Sequence, residues 1–120
     1  MMIEKAKFED LQEILDLQYL AYQSEAQLFD NPNIPPLKQT LQEVQGEYQR
    51  GTILKVSDEN GGIIGSVRAH VMDGTVYIGK LIVHPQKQGQ GIGTKLLLAI
   101  ERSIQTKDMN FLRVQKVFET

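Results

Sequence analysis

No cysteine occurs among the 120 residues. That excludes disulfides, thiolate nucleophiles and thiolate metal sites, and it agrees with a cytoplasmic location. No metal site is expected. Charge of one sign is scarce as well: 13 Lys and Arg stand against 15 Asp and Glu, a formal net charge of −2. No global field would gather nucleic acid or an anionic membrane, so neither is an expected partner. No apolar run approaches the ~20 residues that cross a bilayer. The opening MMIEKAKFED is too charged for a signal peptide. Proline is rare too, four in all. Three of them, Pro32, Pro35 and Pro36, crowd into DNPNIPPLK, which is therefore a loop.

The chain is long enough for one domain, residues 1–120, and one core. Hydrophobic residues make up 41% and charged residues 23%, as in an ordinary globular protein. MIEKAK reads as a short first strand. From about Phe8 to Phe29 the pattern is helical, with Leu11, Ile14, Leu15 and Leu17 at three- and four-residue spacing and Leu20 and Tyr22 continuing the run. Asp10 followed by Glu13 suggests a capping box, and so does Thr40 followed by Glu43 ahead of a second helix, Leu41 to Arg50. Gly51 is a suitable stop. TILKVS, IIGSVRAHVM and TVYIGKLIV read as strands separated by DENGG and Asp73-Gly74 turns. Leu81, Ile82 and Val83 are apolar in succession, as expected where a strand is covered on both faces. A helix from Gly93 to about Lys107 buries Leu96, Leu97, Ile100 and Ile104. NFLRVQKVF is a last strand, with Leu112, Val114 and Phe118 on one face. The expected architecture is an α/β (α+β) mixed sheet in the order β-α-α-β-β-β-α-β. The last two strands, joined by a helix, should be parallel.

HPQKQGQGIGTKLLLAIE carries glycines at 89, 91 and 93 just ahead of that last helix. Without Cβ atoms the backbone there can take positive φ and approach a ligand closely. The first helical turn leaves about four N–H groups without internal partners. These donors and the helix dipole favour a phosphate or pyrophosphate, with the Thr94 hydroxyl and Lys95 ammonium nearby. The alternative is a plain strand-to-helix loop with glycines for tight packing. Two familiar phosphate loops fit poorly. A Walker loop needs Gly-Lys-Ser/Thr after four intervening residues. A dinucleotide fingerprint needs Gly-x-Gly-x-x-Gly directly after the first strand.

Gln88-Gly89-Gln90-Gly91-Ile92-Gly93 reads as Q/R-x-x-G-x-G/A. With YIGKLIVHP ahead and TKLLLAIE behind, it resembles the acyl-coenzyme A loop of the GNAT superfamily of N-acetyltransferases. The resemblance extends over the first two helices and the antiparallel strands. It implies a GNAT-like fold in which acetyl-coenzyme A is the co-substrate of direct transfer to a primary amine of a small molecule or peptide. Backbone amides of Gln88, Gly89, Gln90, Gly91, Ile92, Gly93 and Thr94, with Lys95 beside them, would bind the pyrophosphate. Leu81, Ile82 and Val83 would line the thioester and pantetheine arm, where the fourth and fifth strands splay apart. The first two helices and the proline loop would form the acceptor wall, with Tyr22, Glu25 and Asn33 as candidate contacts and Pro35 at the entrance.

The acid–base chemistry has fewer candidates. The family often places a carboxylate near Lys80, but IGKLIV has none. Lys80 acts as a base only if burial lowers its pKa; otherwise it is a snorkelling or ion-paired lysine. His84 is a second candidate proton acceptor, or simply a loop histidine. His70 is expected to be structural or solvent-facing. Tyr19, Tyr22, Tyr48 and Tyr77 do not match the family's general-acid tyrosine. The chain is expected to lack the family's usual final helix and two strands. The fifth strand would then have an open edge, and a homodimer or strand-exchanged oligomer would cover it. The alternative function is a catalytically inactive acyl-coenzyme A-binding or regulatory module; a third possibility is a structural remnant whose loop holds nothing.

Overall fold

Turn chemistry fixes the centre of the molecule. The structure, a computed structural model, describes residues 2–29, 34–105 and 115–118, with side chains over 2–23 and 34–104. Asp73 and Gly74 take φ of +52° and +76°, the backbone of a two-residue type I′ hairpin. They join β3 (Ile63–Met72) to β4 (Thr75–Val83). Gly61, at φ +86°, lies in the turn joining β2 (Thr52–Ser57) to β3. The Asp58 carboxylate accepts the N–H groups of Asn60 and Gly62, each at 2.9 Å, and holds that turn. With β1 (Met2–Lys5) these strands form a continuous antiparallel run, β1-β2-β3-β4.

A four-residue segment, β5 (Gln115–Phe118), pairs in parallel with Thr75–Ile78 of β4. The strand expected over 110–118 is described over those four residues alone. Positions 106–114, and the shared face of Leu112, Val114 and Phe118, lie outside the described residues.

Helices cover both faces. α1 (Leu11–Phe29) and α2 (Leu41–Arg50) lie on one, α3 (Ile92–Gln105) on the other. Alternation along β3 sends Val67 and Ala69 to the α3 side and Arg68 to the α1/α2 side. Ile92, Leu96, Ile100 and Ile104 of α3 bury against Leu54, Val56, Val67, Val76 and Ile78. Leu11, Ile14, Leu15 and Leu17 pack with Val44, Ile53 and Ile82 on the opposite face. Leu97 is only partly buried. Leu20 is 41% exposed, so it leaves the inward stripe that its spacing suggested. Gln18 takes an inward position and is fully buried.

The cap of α2 forms as expected: Thr40 Oγ1 accepts from Glu43 N–H at 3.2 Å, and Glu43 Oε1 accepts from Thr40 N–H at 3.0 Å. Gly51 ends that helix for a different reason than a left-handed cap. Its φ is −150°, but a Cβ there would stand 2.2 Å from the Ala69 carbonyl oxygen. Only glycine lets the chain pass so close to β3. Asp10 and Glu13 do not make the expected box. Asp10 accepts from Lys7 N–H at 2.8 Å and from Lys55 Nζ at 2.7 Å, while Glu13 accepts from Ile63 N–H at 2.9 Å. Asp10 instead caps one turn earlier, at Lys7, while also pairing with Lys55, and a long-range partner on the sheet takes Glu13.

Lys55 is a buried lysine on β2, paired with Asp10. Burial alone would raise the Asp10 carboxyl, but the Lys55 ammonium and the Lys7 N–H outweigh it and hold the group below its ordinary range. A carboxyl depressed on folding contributes stability above its unfolded pKa and loses it as pH falls through the folded value. The urea midpoint should therefore drop below about pH 4. Asp10→Asn should lower the neutral-pH midpoint and flatten that acid limb. An unchanged limb in the variant would assign the acid sensitivity to other carboxylates.

Candidate functional site

β4 contains an extra residue. Ser66 faces Ile82 and Arg68 faces Gly79, so Val67 alone opposes both Lys80 and Leu81. Lys80 takes φ +52°, a left-handed conformation uncommon outside glycine and asparagine. This bulge re-aims the strand. Before it, Val76 and Ile78 point to α3; after it, Ile82 points to α1 and is 3% exposed. Leu81 is 37% exposed and Val83 partly buried, so the expected cover on both faces holds for Ile82 but not for Leu81. Beyond Ile78 the β5-facing edge of β4 has no strand partner among the described residues.

The glycine turn begins where β4 ends. The His84 N–H donates to the Ile64 carbonyl at 2.8 Å, and His84 Nδ1 accepts from Gln86 N–H at 3.1 Å. Pro85–Lys87 form a single 3-10 turn. Gln88 Nε2 donates to the Val83 carbonyl at 3.4 Å, tying the loop back to the strand. Gly89 and Gly91 have φ of +81° and +80°, and nothing lies within 4 Å of where a Cβ would stand. Backbone conformation, not crowding, calls for glycine at both. α3 starts at Ile92, one residue earlier than expected. Its first ladder bond runs from Lys95 N–H to the Gly91 carbonyl, 3.1 Å. The N–H groups of Ile92, Gly93 and Thr94 therefore precede the helix's own ladder, at the positive end of its dipole. Gln90, Thr94 and Lys95 are exposed around them. Such an end accepts an anion.

On the opposite face of the sheet, Glu47, Arg50, Arg68, His70, Tyr77, Gly79 and Lys80 line a cleft of about 100 Å³. Arg68 is its buried floor, 5% exposed. Its Nη1 donates to Glu47 Oε2 at 2.5 Å and Gln39 Oε1 at 2.9 Å, and its Nη2 donates to Gln18 Oε1 at 2.6 Å. Gln18 Nε2 in turn donates to the Pro36 carbonyl and to Gln39, at 2.8 and 2.9 Å. Tyr19 donates its hydroxyl to the Gln39 carbonyl. The network ties α1, α2 and the 3-10 turn Pro35–Leu37 to β3. Burial pushes the Arg68 pKa down from the usual guanidinium value and Glu47 pulls it back; arginine stays cationic throughout. The Arg68 Nε is buried and has no hydrogen-bond partner. The His70 and Tyr77 rings stack at 5.0 Å and 12°, forming one wall.

Of the sequence-derived site candidates among the described residues, one lines this cleft. Lys80 is in the cleft. His84 lies at the loop, with Nδ1 already occupied. Tyr22 is buried in the α1 core, near enough to Arg68 to act on it electrostatically. The Glu25 side chain and all of Asn33 lie outside the described residues. Sequence reading missed Gln18, Gln39, Glu47, Arg50, Arg68 and Tyr77, and it assigned His70 no part in a cleft. The available signal was SVRAHV, where Arg68 and His70 interrupt an apolar strand on the same face.

The model of the Acetyltransferase (GNAT) family matches residues 8–119. No match is found among curated proteins. Solved structures with similar folds include a tetramutant of the BH1408 protein from Bacillus halodurans, with TM-score 0.74 and 20% identity, covering 100% of this chain and 83% of that one. PaiA N-acetyltransferase from Thermoplasma acidophilum, solved with coenzyme A, has TM-score 0.72 and 18% identity over 89% of this chain and 74% of its own. A GNAT family acetyltransferase from Brucella melitensis, solved with acetyl-CoA, has TM-score 0.71 and 19% identity over 88% of this chain and 69% of its own. At such identities the likeness speaks for the fold.

Glu47→Gln should destabilise the protein, because it removes the charge that compensates a buried guanidinium. With the Glu47 side chain 27% exposed, the cost should be about 1–3 kcal/mol, below that of a fully buried pair. Urea unfolding at neutral pH measures it. A change below about 0.5 kcal/mol would mean that the pair contributes no more than a surface bridge.

Proposed function

For this chain, which belongs to the GNAT family of acetyltransferases, we propose an acetyl-coenzyme A-dependent transfer of an acetyl group to a primary amine in a ternary complex. The observation that carries the reading is the glycine turn. It presents the unladdered N–H groups of Ile92, Gly93 and Thr94 beside the end of β4, with open space over Gly89 and Gly91. Backbone amides from Gln88 to Thr94, with Lys95 nearby, hold the pyrophosphate of the co-substrate. The thioester lies along Leu81–Val83, on the strand edge left without a partner beyond Ile78 among the described residues.

The acceptor approaches from the α1/α2 face, at Gly79 and Lys80. Its nitrogen lone pair attacks the thioester carbonyl carbon, and the carbonyl oxygen takes up negative charge against a backbone N–H of the bulged strand. The C–S bond then breaks, the thiolate departs, and the amine proton passes to solvent or to that thiolate. Positioning supplies much of the rate. With His84 Nδ1 engaged by Gln86, water rather than either candidate side chain takes the amine proton. The coenzyme-binding module without turnover is favoured by that same engagement. A thiol-release assay over a panel of amines separates the two readings.

Calorimetry with acetyl-coenzyme A should detect binding, and Gly91→Val should weaken it by at least about tenfold. Valine strains a backbone at φ +80° and would move the donors, while the core, remote from this exposed turn, keeps its far-ultraviolet dichroism. Unchanged affinity in a folded variant would put the ligand elsewhere. β5 stands at the edge of the sheet, and such an edge favours a homodimer or strand-exchanged oligomer. Light scattering at micromolar concentration should give a mass above that of one chain; a clean monomer would refute the association.

A further inference from the structure

The cleft on the α1/α2 face carries more positive than negative charge. Glu47 is engaged by Arg68 and by Gln39 Nε2, the latter at 3.0 Å, so its charge is already answered. Glu43, whose field reaches Lys80, caps α2 at Thr40. Arg50 and Lys80 line the same cleft and enter no ion pair among the described residues. The Arg50 guanidinium folds back over its own helix, where a Cβ on Gly46 would stand 2.9 Å from Nη1. Behind both, the Arg68 side chain is 6% exposed and its Nε lacks an acceptor.

We propose that this cleft is a carboxylate subsite, so that the amine acetylated by this protein also bears a carboxylate. The inference rests on the acetyltransferase reading and names its substrate class. Arg50 and Lys80 would grip the carboxylate from the open side, and the stacked His70 and Tyr77 rings would bound it. Such a grip at Lys80, one residue from Leu81, sets the amine beside the strand where the thioester lies.

The test uses the full chain saturated with coenzyme A and titrated calorimetrically with matched pairs: α-amino acids against their carboxamides, and β-alanine and γ-aminobutyrate against theirs. At least one carboxylate should bind about tenfold or more tightly than its carboxamide. Arg50→Gln and Lys80→Gln should each shrink that ratio, by thermal melting as folded as the parent. Equal binding within every pair, no carboxylate binding at all, or a preference that survives both substitutions would each overturn the subsite. Failure of coenzyme A itself to bind would overturn the acetyltransferase reading first, and is seen in the preceding titration.

Discussion

One added residue in β4 governs where everything chemical sits. Because Val67 opposes both Lys80 and Leu81, the alternation of faces resets midway along the strand. Gly79 borders the polar cleft, while three residues later Ile82 is sealed in the α1 core. An unbulged strand would send Leu81 toward α1 and α2 and Ile82 toward α3, inverting the pattern of burial. Lys80 takes φ +52° at this position, a conformation that costs a non-glycine residue about 1–2 kcal/mol. The hairpin on one side and the His84 N–H bond to Ile64 on the other hold it there.

The bulge needs a rigid backing, and Arg68 supplies it. Lying opposite Gly79 on β3, it reaches across to α1, α2 and the turn at Pro36 through Gln18, Gln39 and Glu47. An apolar residue there would pack as well or better in simple energetic terms, since burying ions is costly. What the polar network adds is a fixed orientation for α2 over the cleft. Two adjacent helices otherwise meet mainly through non-directional contacts, Val44 with its neighbours.

Much of the scaffold was legible because its signals are local. Asp73-Gly74 and the glycines after Asn60 dictate hairpins whatever lies beyond them, and the expected spans of β2, β3 and β4 agree with the structure. Thr40 and Glu43 cap one helix within four residues. Asp10 and Glu13 have comparable spacing, yet Lys55 and Ile63, 45 and 50 residues away, claim them. The same physics hid the cleft. Gln18, Gln39, Glu47 and Arg68 acquire joint meaning only through packing across the sheet, and a bulge leaves no mark in YIGKLIV beyond an unremarkable Gly79-Lys80. The glycine turn stood out for the opposite reason: its chemistry resides in the backbone of consecutive residues.

The two halves of the site are coupled through Gly93. A Cβ built there would rest in ordinary contact with Leu81 Cδ2 at 3.8 Å and Val83 Cγ2 at 3.9 Å. The first turn of α3 is thus seated directly on the last residues of β4, just beyond the bulge. Sliding the helix by one turn would carry its free N–H groups ~5 Å along its axis, away from the strand edge that receives the thioester in the proposed reaction. The buried row Ile92, Leu96, Ile100 and Ile104 resists such a slide, because every member is fitted against β2, β3 or β4. Core packing on one face of the sheet therefore sets the distance between anion donors and strand edge, and the bulge sets what the other face presents to them.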